Sequence, residues 1–94
     1  MNEPNRASAR FTIVNELGLH ARAATKLSQL TSRFPCEVEL RRDKQTANAK
    51  SVMGVLLLCG SRGTVLEIQA TGEQAQECVD AVGNLIASRF GEAR

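Results

Sequence analysis

The sequence predicts an α+β fold, an open-faced β-sandwich in which a four-stranded, mainly antiparallel sheet carries three helices on one face. Three observations lead there. The apolar pattern alternates between the period of a strand and that of a helix in the order βαββαβα. Each strand is apolar on one side and each helix along one stripe, so stacking helices on a single sheet face buries all of them. The 94 residues suffice for one two-layer core and for no second domain.

Met1 to Ala9 is polar, contains Pro4 and lacks the apolar centre of a secretory signal. We expect residues 1–9 to be a disordered tail and residues 10–94 to form the domain. Arg10 to Asn15 is rich in β-branched residues, with Phe11 and Ile13 on one side, and reads as the first strand, ended by the turn Asn15-Glu16-Leu17-Gly18. From Ala21 to about Arg33, Ala23, Ala24, Leu27, Leu30 and Phe34 recur at helical spacing until Pro35 stops them. Cys36, Val38 and Leu40 alternate with Glu37, Glu39 and Arg41, giving a second strand whose polar tip leads into a return strand over Gln45 to Asn48.

Ser51 opens a short helix from Val52 to about Leu58, with Val55, Leu58 and Cys59 on its core side. Leu66, Ile68 and Ala70 mark the fourth strand. Thr71-Gly72-Glu73-Gln74 fits a capping box for the last helix, whose stripe is Ala75, Cys78, Val79, Val82, Leu85, Ile86 and Phe90, with Gly91 as the stop.

Composition excludes several functions. A single histidine and three scattered cysteines, Cys36, Cys59 and Cys78, with no C-x-x-C pair, do not make a zinc site, and no metal or other cofactor is expected. The cysteines read as free, packed thiols in a reducing compartment. A net charge of +2 with three Phe and no Trp or Tyr lacks the basic footprint and stacking aromatics of a nucleic-acid binder. The longest apolar run, Val52 to Cys59, falls well short of the ~20 residues that span a bilayer, so a soluble, cytoplasmic monomer is expected.

The residue that could carry chemistry is His20, at the start of the first helix. A helix start offers unpaired N–H groups and partial positive charge to an anion such as a phosphoryl group, and its field favours the neutral, nucleophilic imidazole. Arg22 can reach the same volume as a forked phosphate clamp. A surface or capping histidine and a solvated arginine are the commoner explanations of such residues. No acid or second histidine stands nearby in sequence to act as a base, which speaks against a hydrolase. Ser51 reads first as a helix cap and second as a site where phosphorylation would add charge. The short helix is apolar nearly all round, leaving Met53, Leu56 and Leu57 outward with Val52 at the edge; this suggests a partner surface more than a helix covered by a loop. Arg22, Lys26 and Lys50 would rim it with positive charge for an acidic partner.

Gly18-Leu19-His20-Ala21-Arg22 and Asn48-Ala49-Lys50-Ser51-Val52-Met53-Gly54-Val55, about thirty residues apart, resemble the two motifs of the histidine-containing phosphocarrier family, HPr. The likeness runs from about Arg10 to Phe90 and includes the element order. It implies that His20 accepts a phosphoryl group on Nδ1 from phosphorylated enzyme I of the phosphoenolpyruvate-dependent phosphotransferase system and passes it to IIA domains, with Arg22 beside it. It further implies that Ser51 is the target of an HPr kinase/phosphorylase and that Val52, Met53 and Leu56 fall on the docking surface. Ala23 stands where the family usually has proline, Asp43-Lys44 replaces an Asn-Gly type tip, and Leu57 enlarges the apolar patch. A nitrogen-branch regulatory carrier, or a purely regulatory interaction protein controlled through Ser51, are the alternative functions.

Overall fold

The computed structural model describes residues 5–94. Its strands are β1 (Arg6–Thr12), β2 (Glu37–Arg42), β3 (Gln45–Asn48) and β4 (Val65–Thr71), and its helices α1 (Ala21–Thr31), α2 (Val52–Leu57) and α3 (Ala75–Ala87), followed by a 3-10 turn over Arg89–Gly91. The sheet order is β1-β4-β2-β3 and every neighbouring pair is antiparallel. Because β1 and β2 both flank β4, they run parallel to each other, and such strands need a long crossover, which the α1 segment supplies. The predicted fold class and element order are those observed.

The alternation of β2 and β4 places Val38, Leu40, Leu66, Ile68 and Ala70 in the core, where Leu40 is registered against Ile68. Against them pack Ala23, Ala24 and Leu27 of α1, Val55 of α2, and Cys78, Val79, Val82 and Ile86 of α3. Gly83 lets α3 approach β1, since a Cβ there would stand 2.6 Å from the Phe11 ring. The other sheet face is polar, with exposed pairs such as Arg10–Glu67 and Arg41–Glu39 that add little stability.

Four expectations are corrected. Arg6 to Ala9 belong to β1 and not to a disordered tail: the ladder continues from Phe11 opposite Leu66 down to Arg6 opposite Thr71, and Ala7 is buried. Residues 1–4 lie outside the described residues. The capping box at Thr71 is not formed; β4 keeps Thr71, and α3 starts from Gln74, a left-handed residue with φ 64° and no side-chain cap. Cys59 is exposed, because the chain leaves helical geometry there with φ 53° and turns the thiol away from the core side of α2. Leu56 is half-buried against the core instead of facing outward. The other two thiols are buried neighbours, and burial, reinforced by Cys36, pushes the Cys78 thiol up to about 12.

Candidate functional site

His20 is the residue from which α1 starts, and the preceding loop fixes its place. Gly18 adopts φ 65° and lies so close to the Gly60 carbonyl that a Cβ would stand 2.4 Å from it, so glycine is required on both counts. The Leu19 amide donates to that carbonyl at 2.8 Å and the Leu19 side chain is buried, which anchors the residue before the histidine. Asn15 donates its side-chain amide to the Gly18 carbonyl at 2.9 Å and closes the loop. His20 then takes an extended conformation (φ −77°, ψ 178°) while its carbonyl accepts from the Ala24 amide at 2.9 Å.

The imidazole makes no capping bond, and the first turn of α1 contains no acidic residue, so its amides keep their partial positive charge. The ring is 28% exposed at the edge of an open concavity of about 790 Å³ whose walls include Leu17, Arg22, Glu92 and Arg94. Arg22 is exposed on that wall, so the structure brings together the two residues singled out for phosphate chemistry.

Two participants were not found from sequence. Glu92 Oε2 pairs with His20 Nε2, and the other Glu92 oxygen accepts from the buried Asn15 amide at 3.0 Å. The expectation that no acid stands by the histidine is therefore corrected. The bond from His20 holds the Glu92 carboxyl below its usual value, against an opposite push from burial, and Asn15 and Lys26 act in the same direction as His20.

The chain returns to the site through three consecutive left-handed residues, Arg89 (φ 59°), Phe90 (φ 56°) and Gly91 (φ 78°). The first two carry a penalty of about 1–2 kcal/mol each. Full burial of Phe90 and the Lys26 ammonium, which donates to the Phe90 carbonyl at 2.6 Å, offset it. The sequence signal was Gly91 after an apolar stripe, which announces a turn but not its target. Leu17, 69% exposed beside the concavity, is a further apolar group that the reading left without a role.

Ser51 caps α2: its hydroxyl accepts from the Gly54 amide at 3.0 Å. The segment before it is pinned to α1, because Ser28 donates to the Lys50 carbonyl at 2.6 Å and Thr31 to the Ala49 carbonyl at 3.0 Å. On α2, Met53 (65%), Leu57 (67%) and Val52 (37%) are exposed, as expected for an unpartnered apolar face. The basic rim is thinner than expected, since the Lys26 ammonium is taken by Phe90 and the Lys50 ammonium donates to the Phe34 carbonyl at 2.7 Å.

Fold and site together define a small open-faced sandwich domain with a single histidine at the start of its first helix. The model of the family described as PTS HPr component phosphorylation site matches residues 7–88. The chain belongs to the HPr phosphocarrier family of the phosphotransferase system. It is similar to the phosphocarrier protein HPr of Cupriavidus necator, 46% identical over 81 residues that cover 86% of this chain and 91% of that protein. It is also similar to the phosphocarrier protein NPr of Shewanella violacea, 42% identical over 84 residues, 89% of this chain and 92% of that one. Among solved structures, HPr-C-His from Thermoanaerobacter tengcongensis superposes with a TM-score of 0.90 at 36% identity, covering 94% of this chain and 99% of the other. No helix among the described residues is long and apolar enough to cross a membrane.

Proposed function

We propose that His20 Nδ1 accepts a phosphoryl group from the phosphohistidine of enzyme I and hands it to a IIA domain, in the cytoplasm. The observation that carries this is the division of the ring. Nε2 is engaged by Glu92, so the other nitrogen is the one left to act at the uncapped start of α1. A carboxylate accepting from Nε2–H leaves the lone pair on Nδ1, where the nucleophile is needed. The amides of the first turn and the Arg22 guanidinium then stabilise the transferred charge.

Val52, Met53 and Leu57, with Leu56 beneath them and Lys26 and Lys50 nearby, form the docking surface for these partners. Phosphorylation of Ser51 by an HPr kinase/phosphorylase adds close to two negative charges at the start of α2, which the helix tolerates and which repel an acidic partner. Service in a nitrogen branch is the second reading, favoured by the likeness to an NPr. A purely regulatory protein is disfavoured, because His20 and Arg22 share one open concavity.

Incubation with phosphoenolpyruvate and enzyme I should place an acid-labile, alkali-stable phosphoryl group on the protein and none on His20→Ala. Equal labelling of that variant would overturn the assignment.

A further inference from the structure

We propose that Glu92 is a positioning residue for the phosphoryl group's arrival and departure: its carboxylate fixes the Nε2 proton, aiming Nδ1 at phosphorus and keeping the phosphorylated ring a good leaving group. The inference rests on the carrier reading. It starts from one contact, Glu92 Oε2 on His20 Nε2, and from the apparatus that maintains it. Asn15 holds the other oxygen, Phe90 is fully buried two residues earlier, and Lys26 grips the Phe90 carbonyl. A carboxylate placed by these three devices, on a turn of left-handed residues, is held in register with the ring.

The step balances without a base. The Nδ1 lone pair forms the new N–P bond as the donor's own bond to phosphorus breaks, and the Nε2 proton stays on the ring. The product is a phosphoimidazolium whose charge faces Glu92. In the next transfer the Nδ1–P bond breaks and its electron pair returns to Nδ1, leaving a neutral imidazole. Were the Nε2 proton lost first, the leaving group would be an imidazolate, and transfer would slow. Retaining that proton is therefore retaining a transferable phosphoryl group. The other charged groups that line the concavity with His20 are Glu16, Arg22 and Arg94, and Lys26 acts electrostatically on Glu92. The two arginines oppose Glu92, so the direct contact has to supply the hold.

The test uses the full chain, Glu92→Gln, which keeps an acceptor oxygen without the charge, and Glu92→Ala, which keeps neither. Ring-nitrogen NMR on the unphosphorylated protein reads the tautomer. The expected result is a proton on Nε2 in the parent and in the Gln variant, and a mixed tautomer in the Ala variant. The proteins are then phosphorylated with phosphoramidate, and loss of label is followed against pH. The pH at which release falls by half should drop by about one unit in both variants, equal to a tenfold change in proton retention. A parent-like tautomer in Glu92→Ala together with an unmoved midpoint would overturn the proposal. If no label forms on His20 from phosphoramidate or from enzyme I, the carrier reading fails instead, and the tautomer measurement alone decides whether Glu92 orients the ring.

Discussion

The two helix starts that carry the family's motifs solve the same problem in opposite ways. At α2 the first residue outside the helix satisfies it: the Ser51 hydroxyl takes the Gly54 amide, and the end is closed from within four residues of sequence. At α1 the corresponding residue, His20, gives its side chain no capping work and leaves the amides available. Its ring is held by Glu92, 72 residues away. A self-sufficient start suits a place where modification changes charge but not fold. An unsatisfied start suits a place where an anion must come and go. The local geometry is similar, both residues being extended, and the difference lies in where each side chain finds its partner.

The largest way to break this contrast is Phe90→Ala. Loss of a fully buried ring should cost about 3–5 kcal/mol in urea unfolding. In the remaining folded population it should also free the His20 ring, visible as altered imidazole resonances, while the α2 start is unaffected. Met53→Glu acts on the other region. It should weaken enzyme I binding by calorimetry about tenfold or more, the loss typical of an apolar anchor. Labelling by phosphoramidate should stay at the parent level, since nothing at His20 has changed; an unchanged affinity for enzyme I would remove α2 from the docking surface. Ser51→Ala should cost about 1 kcal/mol, the usual value of a serine cap, and leave transfer from enzyme I intact.

The smallest effect is in pH. Glu92 has its folded value below its unfolded one, so its contribution to stability is present above the ordinary carboxyl value of 4.5 and fades as pH falls through the depressed one. Cys78 has the opposite sign: its folded value is raised, so stability holds below 9.0 and declines as pH rises from there toward about 12. Acid should therefore loosen the α1 start before the sheet, and alkali should attack the core under α3. Imidazole resonances and far-UV circular dichroism separate the two.

What was legible in the sequence was what repeats. Val38 and Leu40, Leu66 to Ala70, and the stripe from Ala75 to Ile86 are periodic, and periodicity located strands, helices and core. What was hidden is decided by tertiary partners. Arg6 and Ser8 carry no strand preference, yet β4 is long enough to pair with them. Thr71 and Gln74 have the letters of a capping box, but the ladder claimed Thr71 first. Cys59 fits the helical pattern of α2 and lies just beyond the helix that would have obeyed it. His20 and Ser51 were found because both sit where a helical pattern begins. Glu92 was not, because a contact across the whole domain leaves no spacing to read. The lysines were misjudged for a related reason: a backbone carbonyl, the acceptor each ammonium found, has no letter in the sequence.

The sheet order sets how the molecule must be assembled. Among the described residues β4 is the only strand beside β1 and the bridge between β1 and the β2–β3 hairpin, yet it is the fourth strand in sequence. A chain ending short of Val65 has one local hairpin, without the strand that joins it to β1. Folding therefore needs the closure of long loops, which slows it relative to a helical domain of the same size. Partly synthesised copies would not present the histidine in its finished setting, so a cell would meet either a complete carrier or an inert chain.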